Sequence, residues 1–280
     1  MDYNSGYIKA IIIIIMFFLI SYYKYLYKKN QFANKFINKK YINEMNYVKN
    51  LKKVVYTALL GKYDVLHSIV KEVGYDYFMF TDQPFNNESN INWTILHIDN
   101  ESKNLNSNII KKQRFFKTHP HLFFPNYDLS IYIDSTFEIK GKLDEFLLRV
   151  LSPKLSIYVL EHPERNSVNN ELKIISKYHR DKKQTLDIIQ NKYNNENFTD
   201  DNGLAECCLI IRKHNDINCI NYMNNWYNEI KLNSHRDQLS FNYILWKKKN
   251  KYVKYISKYY INKYFTQYPI HLVYLQFKNV

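Results

Sequence analysis

A carboxylate, Asp134, closes the run Leu129, Ser130, Ile131, Tyr132, Ile133 within the segment YDLSIYIDSTFEIK (127–140). A run of that length, rich in β-branched and aromatic residues, reads as a buried strand. A charge at the end of a buried strand is costly unless it is paired. In open α/β sheets, ligands gather at the carboxyl ends of the strands. A divalent metal or a sugar hydroxyl would pair with Asp134 there; the other reading is an aspartate that caps the following turn. Further polar groups are expected at strand ends: Thr57, Asp82, His162 with Arg165, and Asp237. Lys111, Lys112, Arg114 and Lys117 share a helical segment just before the Asp134 strand. Together these residues suit a phosphorylated ligand whose diphosphate the cations neutralise. For the four basic residues, a solvated face is the plainer alternative.

Other chemistries find no support in the sequence. The segment HRDQLSFN (235–242) matches the kinase catalytic-loop pattern, but no Asp-Phe-Gly follows and no Gly-rich loop precedes it. There is no Walker loop, no Gly-x-Ser-x-Gly elbow and no His-Glu-x-x-His pair. Cys207, Cys208 and Cys219 form no Cys-x-x-Cys pair, have no histidine at zinc spacing, and read as core thiols.

The elements that must position these groups follow from the pattern of apolar residues. Strands are expected over 53–59, 77–81, 93–98, 128–133, 154–160 and 204–212. Helices are expected over 108–117, 167–178, 182–193, 215–231 and 235–248. Alternating strands and helices argue an α/β sandwich with a mostly parallel sheet.

The chain has 280 residues, 46% of them apolar, enough for a sizeable core. Forty Lys and Arg against 26 Asp and Glu give a formal charge of +14. Such a charge fits nucleic acid, an anionic membrane or a phosphorylated ligand. No arginine-rich or RNP-like aromatic pattern is present, so nucleic acid is not expected as a partner. Lys, Asn, Ile and Tyr are abundant together, which an AT-rich coding sequence alone would produce. Ala10 to Ile20 is an unbroken apolar run with Tyr7, Tyr22 and Tyr23 at its ends. It is shorter than the roughly 20 residues a bilayer asks for, but interfacial tyrosines suit a single-pass anchor. Residues 1–23 are therefore expected to be a membrane anchor, 24–52 a basic stalk or helical linker, and 53–280 the folded domain. Lysines after the run favour a cytosolic domain. In so lysine-rich a chain they do not decide the membrane face.

Six blocks occur in order: VVYTALLGKYDVL (54–66), FMFTDQP (79–85), RFFKTHPHLFFPNYDLSIYIDSTFEIKG (114–141), EHPER (161–165), GLAECCLIIRKHN (203–215) and HRDQLSFNYILWK (235–247). They resemble the glycosyltransferase-like domain of unknown function shared by plant Golgi, bacterial and viral proteins. The layout is similar, more distantly, to the glycogenin and galactinol synthase type of GT-A enzyme. The resemblance implies a GT-A-like fold, a nucleotide-sugar donor and a glycan, lipid or protein acceptor. It implies that Thr57, Ala58, Tyr63 and Asp82 line the nucleotide pocket, with Arg114 and Lys117 facing the diphosphate. It places Asp237, Gln238 and Arg236 at the reacting sugar or acceptor, and His162 and Arg165 at the acceptor or phosphates. It implies Mn²⁺ or Mg²⁺ held by Asp134, with position 136 and His271 as further ligands. Position 136 is Thr where that type carries a second Asp, so the motif is incomplete. A non-catalytic binding module and a hydrolase of a lipid amide such as ceramide are the alternative functions.

Overall fold

The computed structural model describes residues 3–61, 69–84, 92–98 and 108–268. It divides into two units, Met1–Asn50 and Leu51–Val280. The first is one continuous helix, α1 (Tyr3–Asn50), so the stretch expected as a stalk is helical. Its described side chains include exposed Phe18, Leu19, Ile20, Tyr22 and Tyr23. Among the described residues, no helix is long and apolar enough to cross a membrane. The single-pass anchor expected over 1–23 thus finds no support there: the apolar run is short and runs directly into Lys24, Lys28 and Lys29.

The second unit is built on a seven-stranded sheet in the order β3-β2-β1-β4-β7-β6-β8. The strands are β1 (Lys53–Leu59), β2 (Tyr75–Thr81), β3 (Thr94–His97), β4 (Leu129–Ile133), β6 (Ile157–Glu161), β7 (Ala205–Arg212) and β8 (Val253–Ile256). β3, β2, β1 and β4 run parallel; β7 is antiparallel to both β4 and β6, and β6 and β8 are again parallel. The mostly parallel α/β sheet is as the sequence implies. Every residue of β1 and of β4 is buried. Strands covered on both faces need continuous apolar runs, which KVVYTAL and LSIYI supply. A separate pair, β5 (Phe137–Ile139) with β9 (Phe265–Gln267), was not signalled by so short an apolar pattern.

Helix α2 (Ile109–Thr118) packs on β1 and on α7 (Ile217–Leu232), and α7 packs on α8 (Asp237–Lys247). Asn108 caps α2 by accepting the N–H groups of Ile110 and Lys111 at 3.0 and 3.1 Å. Asp216 caps α7 in the same way. Between β1 and these helices lies an aromatic core of Tyr56, Phe80, Phe116, Phe124, Tyr132 and Trp226. Tyr56 meets Phe124 and Tyr132 with ring centroids 5.3 Å apart, and Phe80 meets Phe116 at 4.8 Å. Cys207, Cys208 and Cys219 are free and buried, as core thiols should be. The remaining helices are α3 (Pro120–Phe123), α4 (Leu143–Val150), α5 (Val168–Lys177), α6 (Lys183–Asn195) and α9 (Lys258–Tyr264).

Candidate active site

β1 pairs with β2 on one edge and with β4 on the other, all parallel. The direction in which the sheet grows therefore reverses between β1 and β4. Connections leaving the two carboxyl ends diverge, and a crevice opens where they part. Thr57 and Ala58 lie in the carboxyl half of β1, and Asp134 follows β4 directly. Helix α2 lies against β1 on this side, and the first turn of α8 brings Asp237 to the same place.

Charged side chains converge there. Lys117 Nζ donates to Asp237 Oδ2 at 2.7 Å and stands 3.6 Å from Asp134 Oδ1. Arg114 Nε lies 3.1 Å from the same Asp237 oxygen, close enough for an ion pair but not aligned as a hydrogen bond. Arg114 and Lys117 are three residues apart on α2, so they share one face and reach one carboxylate. The Lys117 side chain is only 1% exposed. Two carboxylates and the Tyr132 ring, 4.9 Å from its Nζ, compensate the buried ammonium. Arg236 precedes α8, and its buried Nε has no hydrogen-bond partner among the described residues. Burial pushes the Arg236 guanidinium down from its ordinary value, and Asp237 opposes that shift.

Burial alone would raise the Asp237 carboxyl. Arg114, Lys117 and Arg236 outweigh it and hold the group well below the usual carboxylate range. A carboxylate held so low is a poor proton acceptor. In this arrangement Asp237 is paired with the Lys117 ammonium and lies beside the Arg114 guanidinium.

A second line of hydrogen bonds reaches Asp134. Arg114 donates to Gln113 Oε1 at 2.5 Å, Gln113 Nε2 to the Tyr132 hydroxyl at 2.6 Å, and that hydroxyl to Asp134 Oδ1 at 2.6 Å. Burial first, and then Asp134, push the Tyr132 phenol well above its ordinary value, so it stays a donor at neutral pH. Behind the cluster, the Lys117 carbonyl accepts from Tyr56 Oη at 2.8 Å and from Arg212 Nη1 at 2.7 Å. Arg212 Nη2 also donates to Tyr56 Oη at 2.5 Å. These buried side chains fix the end of α2 from which Lys117 projects.

The sequence model of the TOD1/MUCI70 glycosyltransferase-like domain matches residues 33–267, which include all of these groups. The chain belongs to this family. Among solved structures, the apo form of the bifunctional glycosyltransferase WbbM is similar, at 13% identity and a TM-score of 0.42. The likeness covers 74% of this chain but 39% of WbbM, so the chain spans well under half of that protein. No curated protein matches.

In this member of the TOD1/MUCI70 family the other expected residues are placed as follows. Thr57 Oγ1 is buried with no hydrogen-bond partner among the described residues. Asp82 Oδ1 accepts from the Gly61 N–H at 2.9 Å and from Gln83 Nε2 at 2.8 Å, tying the end of β1 to the end of β2. Gln238 is partly exposed beside Asp237. His162 and Arg165 close on each other instead of lying open to a ligand. His162 Nδ1 accepts the N–H groups of Glu164 and Arg165 at 3.1 Å each. Arg165 pairs with Glu171 at 2.5 Å and with Glu164 at 2.9 Å. Glu171 in turn lies within electrostatic reach of Arg236, so this set borders the cluster from α5. Tyr63 and His271 lie outside the described residues.

The expected metal site fares differently. Among the described residues no group of three or more His, Cys, Asp or Glu stands together as a metal site. Hard divalent ions take several oxygen donors. Asp134 instead faces an ammonium and a phenol donor. Thr136 is partly exposed, and its carbonyl already accepts from the Tyr268 N–H at 2.9 Å. The described donors do not fit a divalent ion.

Gln113, Tyr132, Tyr56 and Arg212 were not singled out from the sequence. Tyr56, Tyr132 and Arg212 lie in apolar strands and look like core. Gln113 carries no signal beyond its neighbour Arg114.

Proposed function

We propose that this chain is a glycosyltransferase that binds a nucleotide-sugar donor at the carboxyl ends of β1 and β4. The observation that carries the reading is the gathering of Arg114, Lys117 and Arg236 around Asp237 and Asp134 in the crevice between those strands. Three cations against two carboxylates leave a net positive charge of one, largely buried, which suits a diphosphate. In the transfer, the bond from the anomeric carbon to the diphosphate oxygen breaks and the pair of electrons leaves with the diphosphate. The acceptor hydroxyl oxygen forms the new bond to that carbon, and its proton passes to the departing diphosphate or to water. Arginine and lysine already in place stabilise the charge that grows on the leaving oxygen. Thr57, Ala58 and Asp82 would meet the nucleoside, and Asp134, 28% exposed, a sugar hydroxyl. Gln238 would face the acceptor, a glycan, lipid or protein. Helix α1, with its apolar run, would hold the domain at a membrane.

A non-catalytic binding module is the second reading, favoured by the donor set at Asp134, which among the described residues does not fit a divalent ion. A lipid-amide hydrolase finds no such observation in its favour.

The test is thermal stabilisation of the full chain by a panel of nucleoside diphosphates and their sugars, followed by donor turnover. A rise in Tm with one nucleotide, lost in Arg114→Met, together with sugar transfer or donor hydrolysis, is the expected result. Stabilisation without either turnover would make the chain a binding module. No stabilisation of a folded chain by any nucleotide would end the donor-site reading.

A further inference from the structure

One ammonium stands between two carboxylates at the centre of the cluster. Lys117 Nζ is 2.7 Å from Asp237 Oδ2 and 3.6 Å from Asp134 Oδ1. The two acids come from different elements, the end of β4 and the start of α8, and converge on a single cation. A bridging divalent ion asks for the same arrangement, acidic oxygens from separate elements meeting at one point. Here Lys117 fills it.

The lysine is fixed rather than adaptable. A lysine at a surface buries its stem and lets the ammonium reach water. Lys117 does not, for its side chain is 1% exposed and its own carbonyl is clamped by Tyr56 and Arg212. Guanidinium groups reinforce it. Arg114 lies 3.1 Å from the Asp237 oxygen that Lys117 uses, and Arg236 is held in the field of the same carboxylate. A divalent ion placed here would meet the ammonium at close range, and repulsion between like charges rises as their separation falls. The Asp134 oxygen nearest Lys117 is also engaged, since Tyr132 donates to it at 2.6 Å.

We propose that the donor diphosphate is bound without a metal ion, Lys117 with Arg114 and Arg236 supplying the charge that a divalent cation would otherwise bring. The inference rests on the donor-site reading above. Asp237 and Asp134 are then positioning residues for Lys117, and Arg236, whose buried Nε lacks a partner among the described residues, is the cation left to engage phosphate oxygens.

Isothermal titration calorimetry of the full chain with UDP, GDP, ADP and CDP tests this, each run once in EDTA and once in Mn²⁺. The expected result is one nucleotide whose Kd agrees within about threefold between the two buffers. Arg236→Met should weaken that binding by about tenfold or more in EDTA. Binding only in Mn²⁺, abolished by Asp134→Asn, would overturn the inference and leave the donor site standing. No binding of any nucleotide in either buffer would overturn both. Lys117→Met is a harsher variant of a buried residue, so the deciding measurements are the wild-type comparison between buffers and the substitution of partly exposed Arg236.

Discussion

Replacing Asp237 by Asn removes one charge from the buried cluster and changes almost nothing in shape. Asp237 Oδ2 is shared by Lys117 Nζ at 2.7 Å and Arg114 Nε at 3.1 Å. The side chains are 9%, 1% and 15% exposed, so solvent screens them little. Two unit charges 4 Å apart attract by about 4 kcal/mol at an effective dielectric constant of 20. Removing one member of a buried pair costs about 3–5 kcal/mol, because the other charge stays buried without compensation. Two cations lose a partner here, while Asp134, 3.6 Å from Lys117, offsets part of the loss. The expected destabilisation is about 3–5 kcal/mol, a large share of the 5–15 kcal/mol typical of a native domain. Urea unfolding followed by tryptophan fluorescence suits the measurement, since Trp226 Nε1 donates to the Asp237 carbonyl at 3.1 Å. Lys117→Met and the double variant complete a cycle. The double variant leaves neither charge unpaired with the other, so the two losses should fall short of additive by about 2 kcal/mol. Strict additivity, or an Asp237→Asn variant within about 0.5 kcal/mol of wild type, would refute the argument that mutual charge holds the cluster.

Acid should weaken the fold near Arg212. His119 and His214 are buried, and burial, with Arg212 adding to it, pushes each down to about 4. Both therefore bind fewer protons folded than unfolded between about pH 4 and 6.5, and their contribution is complete above 6.5 and lost as pH falls toward 4. Each should cost about 2 kcal/mol at pH 5 relative to pH 7, so a urea midpoint that is unchanged at pH 5 would contradict this, and His214→Gln should flatten the slope. Gly141 faces Tyr264 so closely that an added Cβ would lie 2.7 Å from its Cδ1 and 2.9 Å from its Cα. Gly141→Ala should lower stability by about 1–3 kcal/mol, read as a drop in Tm, and an unchanged Tm would mean that the Lys140–Gly141 turn yields freely.

Much of the frame was written in local patterns. KVVYTAL and LSIYI are strands because β-branched and aromatic runs suit a sheet covered on both faces. Asn108 and Asp216 stop the chain before α2 and α7 because their short side chains accept the first free N–H groups. The place of Asp134, at the end of β4, follows from the same run of apolar residues. β5 and β9, three residues each, carry too little periodicity to read as strands.

The sequence by itself determined which residues are buried in the longer strands, where α2, α5, α6, α7 and α8 begin to within two residues, and that basic residues precede an acid at a strand end. Only the tertiary structure decided what those residues meet. Lys117 finds Asp237 across 120 positions, and Arg212 finds Tyr56 across 156. The reversal of β7 beside β4 was likewise invisible, since an apolar strand reads the same in either direction. So was the Lys117 ammonium that stands 3.6 Å from Asp134. Periodicity records how deeply each residue is buried, because burial repeats with the local geometry of the backbone. Which charge lies opposite which depends on strand order, and strand order is fixed only when the whole core packs.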